Sequence, residues 1–182
     1  MCSRILTDHS ESPPPQQDQR RTKVHIQVEV QGVIDVDEFN ELMRIQALVM
    51  YSWKDPRLTL LNLKHDHELN LIDGLDLTKM WTPNLQLNNT EGREYLKVDN
   101  NSVVVAKRDG PSKLLPENYI DNSLSFDGAE NPLRASMFIV KDFLCTFKLS
   151  FYPFDTQTCF IDLAIPYAIH SYIVIDNDST VK

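Results

Sequence analysis

The chain has 182 residues, of which 26 are acidic and 18 basic, so its formal charge is -8. That length buries one sizeable core and leaves a second full domain little room, and the acidic balance argues against a nucleic-acid partner, whose phosphates demand a basic face. Five glycines against ten prolines, with many Val, Ile, Thr and Tyr residues, suggest strands joined by proline-bearing turns. No run approaches the roughly 20 consecutive apolar residues that a membrane-crossing helix needs.

Taken in chain order, Met1 to Arg21 holds no apolar signal core and passes through Pro13, Pro14, Pro15, Gln16 and Gln17. Residues 1–23 therefore read as a disordered leader with Cys2 unpaired, or as an artefact of how the gene was read. From Val24 the alternation of Ile26, Val28 and Val30 with polar residues predicts a first strand over about 23–34. The next segment, Glu38 to Trp53, fits two periods. Phe39, Leu42, Met43 and Ile45 could line a helix face, whereas Phe39, Met43, Ile45, Ala47, Val49, Tyr51 and Trp53 share one strand parity. Lys54, Asp55 and Pro56 end it, and Arg57 to Leu63 resumes an apolar run. Further strands are expected at Thr78–Trp81, Tyr95–Val98, Ser102–Lys107, Met137–Leu149, Cys159–Ala164 and Tyr172–Ile175, with a surface excursion between Arg108 and Arg134. Short strands separated by turn signals predict an all-β antiparallel sandwich.

Chemistry-bearing residues are sparse. Cys145 and Cys159 enclose thirteen residues, a spacing that by itself admits either a disulfide or two free buried thiols. Asn88, Asn100 and Asn177 open Asn-x-Ser/Thr sequons, candidate glycosylation sites that lean towards an extracytoplasmic chain. His65 and His67, with Asp66 and Glu68, could touch zinc or calcium from one strand face, but a solvated loop explains them as well, and no third ligand stands at defined spacing. Asp176, Asn177 and Asp178 read as an acidic turn, since the twelve-position calcium loop is missing. No Ser/His/Asp or Cys/His set can be assembled. The chain is therefore expected to be no enzyme and to hold no metal or cofactor.

Three motifs point further. The segment from Cys145 to Cys159, with Tyr152, Pro153, Phe154 and Asp155 at its centre and Gln157 near its end, resembles the signature of the Cys-loop receptor family of pentameric ligand-gated ion channels. Trp53-Lys54-Asp55-Pro56-Arg57-Leu58 resembles the family's W-x-D-x-R-L element, and Met80-Trp81-Thr82-Pro83-Asn84 its apolar-W-x-P-D element, with Asn in place of Asp. The resemblance runs over about residues 24–175 in the family's order.

The resemblance implies an immunoglobulin-like sandwich over residues 24–182, the partial ligand-binding domain of a channel subunit, with a Cys145–Cys159 disulfide closing the loop. Phe151, Tyr152, Pro153, Phe154 and Asp155 would then couple ligand binding to the gate, and Trp53, Asp55, Arg57, Trp81 and Pro83 would be structural, Asp55 partnering the Arg57 guanidinium. The family binds a small extracellular, neurotransmitter-like ligand between subunits of a pentamer, commonly in an aromatic box. The corresponding positions here are Leu60, Asn88 and Pro166 with its neighbour Tyr167. Only Tyr167 is a ring, so tight binding of acetylcholine-like amines is not expected. The family's last two extracellular strands and its four membrane helices would lie beyond Lys182, so membrane attachment would come only through that C-terminal part. The parent receptor would face the outside of the plasma membrane, this chain alone being soluble. The alternatives are a soluble secreted relative resembling the acetylcholine-binding proteins, or an unrelated disulfide-bearing adhesion sandwich.

Overall fold

A computed structural model of the chain describes residues 12–14, 21–92, 94–99, 101–115, 123–176, 178 and 180–181. Cys2 and most of residues 1–23, together with Asn100 and Asn177, lie outside them. The elements in chain order are β1 (Thr22–Asp37), β2 (Leu42–Trp53), β3 (Thr59–Leu61), α1 (Gly74–Leu77), β4 (Leu85–Leu87), β5 (Tyr95–Leu96), β6 (Val103–Ala106), β7 (Ser112–Leu114), β8 (Leu124–Asp127), β9 (Leu133–Leu144), β10 (Leu163–Ala164), β11 (Ile173–Ile175) and β12 (Thr180–Val181). Two 3-10 turns, His67–Leu69 and Tyr167–Ile169, complete the set.

The strand parity of the Glu38–Trp53 segment prevails over its helical reading because both edges of β2 are paired. Along its length it lies antiparallel to β1 on one side and β9 on the other. Ile45, Ala47, Val49, Tyr51 and Trp53 all point inward and are buried, which a helical period could not achieve. Asp37 shapes the preceding turn by accepting from the backbone N–H of Phe39 and Asn40 and from the Asn40 amide, and Glu41 closes it with φ at 55°.

The large sheet runs β11-β1-β2-β9-β6, with β12 also on β1. Facing it are two three-stranded sheets, β10-β4-β5 and β3-β8-β7. Between the layers one hydrophobic cluster joins Val24, Ile26 and Val28 of β1 and Ala135, Met137 and Ile139 of β9 to Leu60, Leu85, Leu87, Leu96 and Phe126 of the opposing strands. Each of the larger side chains among them, fully buried, contributes roughly 1.5–3 kcal/mol. The sandwich is thus established, with antiparallel pairing throughout except for β11 and β12, which run parallel to β1.

Several local expectations are corrected. Thr78–Trp81 is no strand: Asp73 caps α1 by accepting from the Asp76 N–H, and Thr78 Oγ1 donates to the Leu75 carbonyl at 2.7 Å, so the chain leaves a helical turn there. The strand lies just beyond it at β4, where Leu85 and Leu87 alternate with Gln86. β9 begins at Leu133 and stops before Cys145, and the Cys159–Ala164 segment is a strand only at β10. The excursion after Arg108 is structured in part, because β7 and β8 pair within it and Phe126 is buried in the core. His65 and His67 stand on no strand. They enter the His67–Leu69 turn, capped by Asp66 accepting from the Glu68 N–H.

Candidate functional site

The bracketed loop is built by its own polar residues. Cys145 and Cys159 are joined by a disulfide with their Cα atoms 5.3 Å apart. Inside it, Gln157 acts as a strand surrogate, its Oε1 accepting from the Lys148 N–H at 2.9 Å and its Nε2 donating to the Lys148 carbonyl at 3.0 Å. The same amide also donates to Asp155. With the flanks pinned, the tip turns through Tyr152 N–H to Leu149 carbonyl and Phe154 N–H to Phe151 carbonyl bonds, with a cis Tyr152–Pro153 bond. These bonds hold the backbone within the loop, and the aromatic side chains project. Phe151, Tyr152 and Phe154 are 78%, 70% and 90% exposed.

The base of the loop is fastened to two neighbours. Cys145 N–H donates to the Glu41 carbonyl in the β1–β2 turn, bringing in Phe39, which is also almost wholly exposed. Asn89 holds both stalks. Its carbonyl accepts from Leu144 N–H at the end of β9, its Nδ2 donates to the Phe160 carbonyl at 2.7 Å, and its Oδ1 accepts from the Asp162 N–H at 2.9 Å. Nothing in the sequence reading singled out Asn89. Its signal was only its place beside Asn88, eight residues after Trp81. Arg44 also braces this end of the sheet through a bidentate pair with Asp142, its register partner on β9, and the donated hydrogen bonds hold the Asp142 carboxylate below its ordinary pKa.

The W-x-D-x-R-L element folds onto itself. Asp55, fully buried, accepts from Arg57 Nε at 2.9 Å and Nη2 at 2.7 Å and from the Arg57 N–H at 3.0 Å. Leu58 beneath it is core, and its carbonyl accepts from the Gly128 N–H at 2.9 Å. A Cβ on Gly128 would stand 2.2 Å from the Asp55 carbonyl, so the turn after β8 approaches that element as only glycine permits. Trp53, Trp81 and Pro83 are buried.

The three positions expected at a ligand are not brought together. Leu60 is entirely buried in the core, because its place on β3 turns it inward. It offers no surface to a ligand, which corrects that expectation. Asn88 is exposed, but its side chain is engaged, accepting from Gln86 Nε2 at 2.8 Å and donating to Asp162 Oδ2 at 3.2 Å. Tyr167 is 96% exposed on the 3-10 turn after β10. Asn88 is bonded to Asp162, just before β10, whereas Tyr167 stands on the turn after it. Two buried asparagines escaped notice for the same reason as Asn89. Asn70 binds Lys64 and Ala106 backbone groups, and Asn131 ties Asp109 and Gly110 to Asp127.

Among curated proteins, an acetylcholine receptor subunit alpha-type acr-16 of Caenorhabditis briggsae is 27% identical over 139 residues, covering 75% of this chain. The chain spans only 23% of that relative's length. The family model described as the neurotransmitter-gated ion-channel ligand binding domain matches residues 1–171. With the sandwich and the disulfide-closed loop in place, the chain belongs to the neurotransmitter-gated ion-channel ligand binding domain family.

Proposed function

We propose that the chain is the extracellular ligand-binding domain of a pentameric ligand-gated channel subunit, which senses a small ligand at subunit interfaces and passes the signal to the pore through the Cys145–Cys159 loop. The observation that carries this reading is the loop's combination of internal bracing and outward rings. Gln157, the disulfide and Asn89 restrain it, while Phe151, Tyr152 and Phe154 remain exposed. A stiff element tipped with apolar rings suits transmission against an apolar neighbour, because a bare aromatic tip is otherwise costly in water. Residues 24–182 form the domain in this reading, with residues 1–23 a leader, neighbouring subunits as partners, and the outer side of the plasma membrane as the location. Asn88 and Tyr167 remain the ligand-contact candidates, and Asn88, Asn100 and Asn177 the glycosylation candidates.

The test is electrophysiological. In the subunit that carries this domain, Phe154→Ser should leave surface expression and ligand binding unchanged and reduce the ligand-evoked current by about tenfold or more, equivalent to about 1.4 kcal/mol of coupling. An unaltered dose–response curve in that variant would overturn the role assigned to the loop.

A further inference from the structure

Met50, Met80 and Met137 are buried to a similar extent, at 7%, 3% and 6% exposed, but Met80 and Met137 belong to the central hydrophobic cluster and Met50 does not. Parity explains the difference. On β2 the side chains of Val49, Tyr51 and Trp53 enter the core, so Met50 and Ser52 stand on the opposite side of the strand. The register there sets Gln27 of β1 and Ser136 of β9 beside Met50, and His25 and Arg134 beside Ser52. Met50 is therefore covered by polar neighbours, at the wall of a cavity of about 270 Å3 that His25, Ser52, His67 and Arg134 also line.

The thioether has a charged partner. Arg134 Nη2 lies 2.6 Å from the Met50 sulfur, a weak acceptor that cannot neutralise a guanidinium, and among the described residues no carboxylate pairs with Arg134. Oxidation of a thioether by hydrogen peroxide needs access for a molecule little larger than water, and support for the group that leaves. A sulfur lone pair attacks one peroxide oxygen, and the S–O bond forms as the O–O bond breaks. Sulfur gives up two electrons, the peroxide is reduced, and the proton of the transferred hydroxyl passes to the departing hydroxide, which leaves as water. Negative charge develops on that departing oxygen, and the Arg134 guanidinium, the Ser52 hydroxyl and the imidazole N–H groups of His25 and His67 are donors in the same cavity. The product suits the place as well. A sulfoxide oxygen is a strong acceptor beside a guanidinium that lacks a carboxylate, whereas at Met80 or Met137 it would be thrust into an apolar core.

We propose that Met50 is a peroxide-sensitive modification site, oxidised to a sulfoxide that Arg134 then holds by hydrogen bonding. The three rotatable bonds of the methionine side chain let the new oxygen turn to the guanidinium fork. The proposal goes beyond the channel reading and does not depend on it, since the chemistry concerns Met50 and its neighbours alone.

Hydrogen peroxide added to the full 182-residue chain, with peptide mass spectrometry over time, tests it, and thermal unfolding verifies that each variant is folded. Met50 is expected to gain one oxygen about tenfold or more faster than Met80 and Met137. The chain oxidised at Met50 alone should keep its Tm within about 2 °C of the untreated chain. In urea the three rates should converge to within about twofold, because unfolding removes the donors and the burial together. Arg134→Gln should slow the oxidation of Met50 by about threefold or more and leave that of Met80 unchanged, with Arg134→Lys, which keeps the charge and loses the fork, in between. Met50 reacting no faster than Met80 in the folded chain, a ranking that survives in urea, an unchanged Met50 rate in both Arg134 variants, or a fall of several degrees in Tm on oxidation of Met50 would overturn the proposal.

Discussion

At the scale of single residues, two buried polar groups behave oppositely. Asp55 is fully buried and accepts three hydrogen bonds from Arg57, so removing it takes the carboxylate partner from a guanidinium that is itself largely buried. Asp55→Ala is expected to cost about 3–5 kcal/mol, read as a shift in the urea midpoint without a change in slope. Tyr51 packs against Trp53 with ring centres 5.7 Å apart, but its buried hydroxyl has no hydrogen-bond partner among the described residues. Tyr51→Phe should therefore be neutral or stabilising by up to about 1 kcal/mol. Burial, with a smaller push from Asp99, drives the Tyr51 pKa well above its ordinary value. The unfolded chain loses this proton near pH 10 while the folded chain keeps it, so the wild type should lose stability as pH rises past about 10. Comparing the alkaline unfolding of Tyr51→Phe and wild type isolates this contribution, and parallel curves would show the hydroxyl is not desolvated.

At the scale of elements, the loop is held from outside as much as by its own disulfide. Asn89→Ala removes two side-chain bonds to Phe160 and Asp162 and leaves the backbone bond to Leu144, so a loss of about 1–3 kcal/mol is expected. Hydrogen exchange gives the sharper check: protection should fall at Asp162, while Lys148, held by Gln157, stays protected. A uniform loss across β9 instead would mean that Asn89 supports the sheet and not the loop. The element scale also explains the misplaced strand near Trp81. An apolar Met-Trp pair reads like a strand start, but the cap at Asp73 commits the preceding residues to a helical turn, and both apolar side chains reach the core from irregular backbone.

For the whole molecule, one end of the sandwich carries exposed rings, with Phe39 on the β1–β2 turn joined through Glu41 and Cys145 to the loop bearing Phe151, Tyr152 and Phe154. Replacing those three loop aromatics by Ser should change folding stability by no more than about 0.5 kcal/mol, because they contribute little to the core. It should also reduce self-association of the concentrated chain, since an exposed apolar patch is removed. Light scattering combined with thermal unfolding distinguishes the two effects, and a fall of several degrees in Tm would show that the rings pack against the sandwich after all. The amino-acid sequence alone determined the sandwich class, the parity of β1, and the segment resembling a Cys-loop, because strand period and motif spacing are local properties of the chain, whereas β2, which fitted a helical period as well, was decided by its pairing with β1 and β9. Tertiary structure decided the rest. Leu60 became core once β3 paired with β8. Asn89 acquired its role from partners 71 and 73 residues away, and a side chain that bonds across such a distance carries no local pattern to betray it.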